Sequence, residues 1–137
     1  MSKDLIVIYT DGGARNNPGP AGAGVVIMDG NRVIAEIKQH LGEQTNNLAE
    51  YEALAIALQE AKHRKLQGKN IEIRMDSKLV VEQVSGNWKI KEPTLKPQVA
   101  KVRALLADFP HHRFVHIPRE ENAEADRLVN EVLDEAV

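Results

Sequence analysis

Three segments with the features of β-strands lie in the first third of the chain, and the residues that join them are typical of turns and loops. The segments are residues 4–10, 21–29 and 32–41. Asp29-Gly30-Asn31 joins the second and third segments and is typical of a hairpin turn, which predicts antiparallel strands. Residues 12–20 include three glycines and two prolines and are therefore expected to form a loop. The chain is thus predicted to begin with an antiparallel, three-stranded unit.

The rest of the chain alternates between helix and strand patterns. A long helix is predicted over residues 46–66, where Asn47 and Glu50 form a capping-box-like start and Gly68 ends the helix. Strands are predicted over 71–75 and 112–117, and further helices over 77–84, 94–107 and 121–135, the last capped by Asn122. Such alternation favours parallel strands. The prediction is an α/β fold: a mixed five-stranded sheet, with three antiparallel strands followed by parallel strands, and with helices on both faces.

The composition limits the class of protein. A length of 137 residues suits one core, and no linker divides the chain, so residues 1–137 are expected to form a single domain. The chain has no cysteine, which excludes disulfides and thiolate zinc sites and fits a reducing compartment. No apolar run approaches the roughly 18 residues that a membrane span requires, and the N-terminus lacks the features of a signal peptide. A cytoplasmic protein with no membrane partner is therefore expected.

The charges of the chain are unevenly distributed, although the formal net charge is only −2. Residues 62–74 and residues 86–103 each contain five basic residues and one acidic residue, whereas residues 120–137 contain seven acidic residues and one basic residue. A positive face in the middle of the chain could bind a polyanion. Ordinary solvated helix surfaces would show the same pattern, so charge alone leaves both interpretations open.

Four carboxylates fall at the ends of predicted elements. Asp11 follows the first strand and Asp76 follows the fourth; if these strands are parallel neighbours, both side chains lie at the sheet edge where α/β folds bind ligands. Glu50 and Asp126 lie in the first turns of two helices. Carboxylates gathered in one place repel each other unless a hard cation such as Mg²⁺ or Mn²⁺ binds them. Taken singly, each has an ordinary explanation as a turn residue, a phosphate-loop residue, a helix cap or a helix-dipole partner.

The residues that flank these acids form four motifs along the chain. They are Tyr9-Thr10-Asp11-Gly12-Gly13 with Asn17-Pro18-Gly19, Thr45-Asn46-Asn47-Leu48-Ala49-Glu50, Asp76-Ser77, and Glu121-Asn122-Ala123-Glu124-Ala125-Asp126. With these motifs the chain resembles type 1 ribonuclease H over essentially its full length. The resemblance implies a ribonuclease H-like fold and an endonuclease that hydrolyses the RNA strand of RNA–DNA hybrids. It also implies two Mg²⁺ or Mn²⁺ ions per site and products with 5′-phosphate and 3′-hydroxyl ends.

The same resemblance assigns the chemistry to the four acids. Asp11, Glu50, Asp76 and Asp126 match the catalytic, metal-binding acids of the family. One ion would be held by Asp11 with Glu50 and Asp126, or by some of these, and would activate water. The other ion would be held by Asp11 and Asp76 and would stabilise the leaving 3′-oxygen.

Substrate contacts are likewise implied by the resemblance. Minor-groove and 2′-hydroxyl contacts match four positions, where glycine permits close approach and asparagine both donates and accepts hydrogen bonds: Gly12, Asn17, Asn46 and Asn47. Thr45 and Asn122 match positions that hold a phosphate of the DNA strand. The side chains at the start of the long helix could equally serve as helix caps, and one residue could do both.

Two features of the well-known bacterial members are missing, and in this the chain is similar to the archaeal-like branch of the family. The loop before Asp126 has no histidine; Arg119 stands there instead, which cannot act as a base but could neutralise charge or aid product release. The long basic protrusion is shortened to residues 86–93. Trp88 could still grip a nucleic-acid strand, with Lys78 as a further contact, or could simply cover the core. A smaller basic surface could also permit cleavage of double-stranded RNA.

Other functions explain fewer of these residues. A domain that binds hybrids without cutting them would not need all four acids. An ATP-handling domain, with the Asp-Gly-Gly turn around the phosphates, would need a second phosphate loop, which the sequence lacks. His111-His112 has no cysteine or third histidine nearby to complete a zinc site. The sequence therefore predicts a monomeric nuclease whose partner is an RNA–DNA hybrid.

Overall fold

The strands of the protein form one mixed sheet. The computed structural model describes residues 5–135, so the predicted strand start at residue 4 lies outside the described residues. Within that range the strands are β1 (Leu5–Ala14), β2 (Gly19–Asp29), β3 (Arg32–Gln44), β4 (Asn70–Met75) and β5 (His112–His116). Their order is β3-β2-β1-β4-β5. β1, β2 and β3 pair antiparallel, and β4 pairs parallel with both β1 and β5, which confirms the predicted sheet. The loop predicted over residues 12–20 is reduced to residues 15–18, because β1 and β2 stay paired as far as Ala14 and Ala21, and Asp11 therefore lies within β1 rather than after it.

The helices follow the predicted order with shifted ends. They are α1 (Asn46–His63), α2 (Lys78–Val84), α3 (Lys96–Leu106) and α4 (Ala123–Glu135), with 3₁₀ turns at Pro93–Leu95 and Arg119–Asn122 before the last two. The predicted starts at residues 94 and 121 were therefore too early, because a tighter turn comes first in both cases. Asn122 ends such a turn and does not cap α4, contrary to the prediction. Among residues 5–135, no helix is long and apolar enough to cross a bilayer.

The predicted start of the long helix at residue 46 is confirmed, whereas its predicted end and its capping box are wrong. Thr45 caps α1, because its hydroxyl accepts a hydrogen bond from the Leu48 N–H at 3.2 Å; the expected Asn47 capping box does not form. At the other end, Lys65 adopts a φ of 62°, a conformation usually taken by glycine. The Leu66 N–H then donates to the Ala61 carbonyl at 3.0 Å. The helix therefore ends before Gly68 is reached.

Helices cover opposite faces of the sheet, as predicted. A Cβ added at Gly12 would lie 2.2 Å from the Ala49 carbonyl oxygen of α1, whereas one added at Gly13 would meet a Val129 methyl group of α4 at 3.7 Å. Because successive residues of a strand face opposite sides, α1 and α4 lie on opposite sides of β1. On the neighbouring strand β2, a Cβ added at Gly24 would lie 2.3 Å from the Ala125 carbonyl oxygen, so α4 approaches the backbone of β2 closely at this point.

The main core lies between the sheet and helices α1 and α3. Its fully buried side chains include Ile6, Ile8, Tyr51, Leu54, Leu58, Ile71, Ile73, Met75 and Phe109. Burying an aliphatic side chain of this size contributes about 1.5–3 kcal/mol, so this layer fixes the positions of β1, β4 and α1. Those are the elements that carry Asp11, Asp76 and Glu50.

Candidate active site

Four acids from separate elements meet in one cleft. Asp11 lies in β1, Asp76 directly follows the adjacent parallel strand β4, Glu50 lies near the start of α1 and Asp126 near the start of α4. All four line a cleft of about 430 Å³. Parallel pairing of Thr10 with Met75 places the next residues of both strands side by side, which is why two acids 65 positions apart come together.

Three of these acids are arranged as metal ligands are. One carboxylate oxygen from each of Asp11, Glu50 and Asp76 lies within 4.8 Å of the other two. The Asp11 and Glu50 residues are only 7% and 9% exposed, and the Gly12 N–H donates to Glu50 Oε1 at 3.0 Å. That hydrogen bond ties α1 to β1 and leaves the second oxygen of Glu50 available. Glu50 therefore groups with Asp76 as well as with Asp11.

Burial and mutual repulsion raise the pKa values of this group. Burial, followed by the charges of Asp76 and Asp126, raises the pKa of Asp11 to about 8. Burial, with the charges of Asp11 and Asp76, raises the pKa of Glu50 well above its ordinary value. Burial also raises the pKa of Asp76, against a hydrogen bond from Asn122 and the charge of Arg119. A divalent cation would offset this repulsion, so the all-oxygen donor set fits a hard metal ion.

Asp126 stands beside this group, held by two neighbours. The Asn130 side-chain amide donates to Asp126 Oδ2 at 3.3 Å, one helical turn further along α4. Arg119 Nη2 lies 3.6 Å from Asp126 Oδ1, and the Arg119 side chain is 79% exposed. Both residues also line the cleft. The prediction that Arg119 lies near the acids agrees with this geometry, while Asn130 was missed although its i+4 spacing from Asp126 was visible in the sequence.

Comparisons with known proteins agree with this arrangement. A family model described as reverse transcriptase-like matches residues 9–132. The bifunctional protein Rv2228c of Mycobacterium tuberculosis is 46% identical over 96% of this chain and 36% of its own length. Ribonuclease HI of Halobacterium salinarum is 42% identical over 93% of this chain and 64% of its own length. The chain therefore spans a little over a third of the first of these relatives and under two thirds of the second.

A solved structure matches over nearly the full length of both chains. LC11-RNase H1, isolated from compost by a metagenomic approach, is 52% identical, with a TM-score of 0.93, and the match covers 97% of this chain and 98% of that one. The chain belongs to the type 1 ribonuclease H family. LC11-RNase H1 in complex with an RNA/DNA hybrid matches this chain with a TM-score of 0.91.

The loop after β1 and the start of α1 carry three asparagines that are expected to contact the substrate. The Asn17 side-chain oxygen accepts from the Asn46 N–H at 2.9 Å, and the Asn46 side-chain oxygen accepts from the Ala14 N–H at 2.8 Å. Asn17, Asn46 and Asn47 are exposed, and these contacts leave the amide nitrogens of Asn17 and Asn46 free to donate to a ligand. The structure thus brings the three asparagines to the start of α1, beside the acids.

Two expected substrate residues, Gly12 and Asn122, also have structural roles. The missing side chain of Gly12 makes room for the α1 backbone, so close packing of the protein already explains the glycine. Asn122 is 1% exposed, and its amide nitrogen donates to the Thr10 carbonyl at 2.8 Å. This burial favours a structural role for Asn122, which ties the start of α4 to β1 beside the acids, and the expected phosphate contact stays a prediction.

The two residues expected to contact the DNA strand, Trp88 and Lys78, lie outside the cleft that the acids line. Trp88 is 43% exposed, so it does not cover the core. Lys78 Nζ stands 5.8 Å from the centre of its ring, in a cation–π arrangement. A groove of about 500 Å³ reaches from Asn47 to Trp88. Trp88 and Lys78 are thus connected by an open surface to the asparagines beside the active-site cleft.

Arg15 is a cleft residue to which the sequence assigned no role. It lines the same cleft as the acids and forms an ion pair with Asp134 of α4 at 2.5 Å. The partner lies 119 positions later in the chain, and no local pattern links the two residues. Only the packing of α4 against the sheet brings them together.

Proposed function

We propose that this protein is an endoribonuclease that hydrolyses the RNA strand of RNA–DNA hybrids with the help of two Mg²⁺ or Mn²⁺ ions. The observation that carries the proposal is the group of Asp11, Glu50 and Asp76, with carboxylate oxygens within 4.8 Å of one another, in a cleft that Asp126 also lines. The hybrid complex of LC11-RNase H1, which is 52% identical, supports the choice of substrate.

The acids of this chain would hold the ions, and rigid elements keep the acids in place. When bound, the two ions stabilise the attacking and leaving oxygens of an in-line displacement at phosphorus. Asp11 is fixed by β1 and Glu50 by the Gly12 N–H, while Asp76 directly follows β4, which pairs with β1. Such support matters because catalytic groups must keep their positions to within about 0.5 Å. Cleavage of the bond between phosphorus and O3′ leaves 5′-phosphate and 3′-hydroxyl ends.

The exposed residues around the cleft recognise the two strands. Asn17, Asn46 and Asn47 offer amide donors and acceptors to the RNA 2′-hydroxyl, the group that separates RNA from DNA. Gly12 has no side chain that would keep the RNA sugar away from the backbone. The start of α1 at Thr45 offers backbone N–H groups to a phosphate of the DNA strand. Trp88 and Lys78 contact the DNA strand by stacking and charge.

Arg119 neutralises negative charge at the edge of the cleft. Its guanidinium offers only hydrogen-bond donors, is mostly exposed and lies 3.6 Å from Asp126. From there it can approach a phosphate of the substrate or of the departing product. It therefore takes the place of the histidine of other members without acting as a base.

We also propose that the chain acts as one monomeric domain in the cytoplasm and that double-stranded RNA is a second substrate. One continuous apolar core joins β1, β2, β4, α1 and α3 within residues 5–135, as a single domain requires. The short connection between α2 and α3 leaves less protein to reject a duplex of different shape. Sedimentation at increasing protein concentration tests the monomer.

The decisive experiment compares wild type with Asp76→Asn on a panel of hybrid, double-stranded RNA, single-stranded RNA and double-stranded DNA. Wild type should cut the hybrid with Mg²⁺ or Mn²⁺, and the substitution should lower kcat by at least about 100-fold because it removes a charge that acts in the transition state. Asp108→Asn, which changes an exposed acid paired with Lys62, serves as the control and should retain wild-type kcat. Hybrid cleavage by Asp76→Asn at the wild-type rate would refute the proposed mechanism.

A further inference from the structure

A second groove, on the side of Trp88 that faces α3, carries a further inference that rests on the proposed function. We propose that this outer groove binds the DNA strand of the hybrid beyond the part that contacts Trp88, and so extends the length of DNA that the protein holds. The binding surface would then reach from the active-site cleft across Trp88 to the exposed side of α3.

The outer groove combines an apolar floor with cationic walls. It has a volume of about 690 Å³. Val99, which is 1% exposed, and Ile90 form part of the floor. The charged residues that line the groove are Lys89, Lys96 and Arg103. Among the described residues 5–135, no acidic side chain lines this groove, so the charge of its described lining is entirely positive.

The cations of the outer groove have no carboxylate partners within the described part of the chain. Elsewhere, lysines and arginines such as Lys38, Lys62 and Arg113 form ion pairs with nearby acids. No ion pair in residues 5–135 involves the three groove cations. Arg103 is instead oriented by one hydrogen bond, from Nη2 to the Gln83 carbonyl at 3.1 Å, which leaves its other N–H groups to bind an anion. Phosphates of a nucleic-acid strand supply such anions at regular intervals.

The outer groove continues the path that the proposed function already uses. The inner groove, of about 500 Å³, runs from Asn47 to Trp88, and the two grooves share Asn87, Trp88 and Lys89 as lining residues. A strand that leaves the inner groove therefore meets the exposed Trp88 ring and then the cations of α3. An aromatic platform followed by positive charge is the combination that holds single strands without sequence preference.

This continuity favours a DNA strand over an acidic peptide as the occupant. A peptide would use the same cations but would gain nothing from a connection to the cleft. A nucleic-acid strand held by the groove, in contrast, makes the affinity of the protein depend on the length of DNA beyond the cleaved hybrid. That dependence distinguishes the two occupants.

The test uses the double variant Lys96→Ala/Arg103→Ala and the single variant Lys96→Ala, which changes one exposed side chain. The substrates are a short hybrid and the same hybrid with a single-stranded DNA extension at either the 5′ or the 3′ end. With wild type, one of the two extensions should lower KM relative to the short hybrid. The double variant should lose this effect: its KM for the extended hybrid should be about 10-fold higher than that of wild type, with kcat unchanged. Its KM for the short hybrid should stay at the wild-type value.

Direct binding provides a second measurement that does not depend on cleavage. Fluorescence anisotropy with a labelled single-stranded DNA should give a salt dependence of log Kd whose slope falls by about one to two units in the double variant. Arg32→Ala/Lys69→Ala removes two cations outside the groove and should leave the slope unchanged. An unchanged salt slope in the groove variants would overturn the inference, and so would an equal rise of KM on the short and the extended hybrid. Displacement of the labelled DNA by an acidic peptide, without displacement by unlabelled DNA, would also overturn it. If the variants change DNA binding as expected while wild type cuts no hybrid, the proposed function is wrong and the inference about the outer groove is supported.

Discussion

Gly12 contributes both to the packing of α1 against β1 and to the position of the active-site acid Glu50. Its N–H donates to Glu50 Oε1 at 3.0 Å, and its missing side chain lets the Ala49 carbonyl of α1 approach the strand. Any Cβ at this position would fall 2.2 Å from that oxygen, well inside van der Waals contact. The glycine therefore sets the distance between β1 and α1, and with it the distance between Asp11 and Glu50.

Replacing Gly12 with alanine should push α1 away from the sheet. Because the contact is with backbone rather than a flexible side chain, we expect a loss of about 3 kcal/mol in the free energy of unfolding, at the upper end of overpacking effects, together with lower affinity for Mg²⁺. Chemical denaturation and calorimetric titration with Mg²⁺ measure the two effects. Gly13→Ala is the matched control, since its Cβ would meet only a Val129 methyl group at 3.7 Å, and it should stay near wild type. Equal stability of both variants would contradict the packing role of Gly12.

At the scale of the element, the start of α1 links three parts of the site. Thr45 caps the helix through the Leu48 N–H, Asn17 of the loop between β1 and β2 accepts from the Asn46 N–H, and Asn46 accepts from the Ala14 N–H at the end of β1. These hydrogen bonds fix the loop to the helix that carries Glu50. The exposed asparagine amides are thereby held at the cleft before any substrate binds.

The cap at Thr45 can be tested by removing its hydroxyl while keeping its shape. Thr45→Val should lower the free energy of unfolding by about 1 kcal/mol because the Leu48 N–H loses its acceptor. That corresponds to a fall in Tm of about 3–5 °C for a chain of this size, measurable by circular dichroism. Thr45→Ser retains an acceptor and should keep most of the stability. If the serine variant loses as much as the valine variant, the methyl group rather than the cap stabilises the helix.

The element order was predictable from the sequence because hydrophobic periodicity and turn residues are local signals. The Asp29-Gly30-Asn31 hairpin and the strand–helix alternation were enough to predict the sheet. Element ends depended on contacts that local patterns do not show. Glu50 resembled a capping-box residue but bonds to Gly12 of another element, and Lys65 adopts the left-handed conformation that was expected three residues later at Gly68.

At the scale of the whole molecule, the site depends on pairings between distant segments. The meeting of Asp11 and Asp76 could be predicted, because both follow the last paired residues of two parallel neighbours, Thr10 and Met75. The burial of Asn122 beneath Asp76, the ion pair of Arg15 with Asp134 and the alignment of unpaired cations along α3 arise only from tertiary packing. No spacing in the sequence encodes these contacts, which explains why the burial of Asn122 and the ion pair of Arg15 were not predicted while the four acids were.

One such long-range cluster joins the three parallel strands. Glu72 of β4 is 4% exposed; Arg74 Nε donates to its carboxylate at 2.6 Å, and Arg113 Nε of β5 donates at 2.8 Å. Arg74 also donates to the Tyr9 hydroxyl of β1 at 2.8 Å. Burial alone would raise the pKa of Glu72, but the hydrogen bonds from Arg113 and Arg74 and their charges outweigh it, so the pKa lies below its ordinary value of 4.5.

This cluster should make the stability of the protein depend on pH in the acid range. Because the pKa of Glu72 is lower in the folded state, its stabilising effect is fully present above the ordinary glutamate pKa and is lost as the pH falls through the depressed value. Glu72→Gln should therefore lower the free energy of unfolding at pH 7 by about 1–2 kcal/mol, a modest loss because the Arg113 side chain is 70% exposed. Below pH 4.5 the difference from wild type should shrink.

Urea denaturation of both proteins between pH 3 and pH 8 measures this difference directly. Glu60→Gln is the control, because Glu60 pairs with Arg64 on the surface of α1 at 2.7 Å, a pair that contributes little in water. Its stability should follow wild type at every pH. A constant gap between wild type and Glu72→Gln across the range would show that the side chain stabilises the sheet by packing alone. A gap that closes on acidification would show that the charge of Glu72, shared between Arg74 and Arg113, holds β1, β4 and β5 together beneath the site.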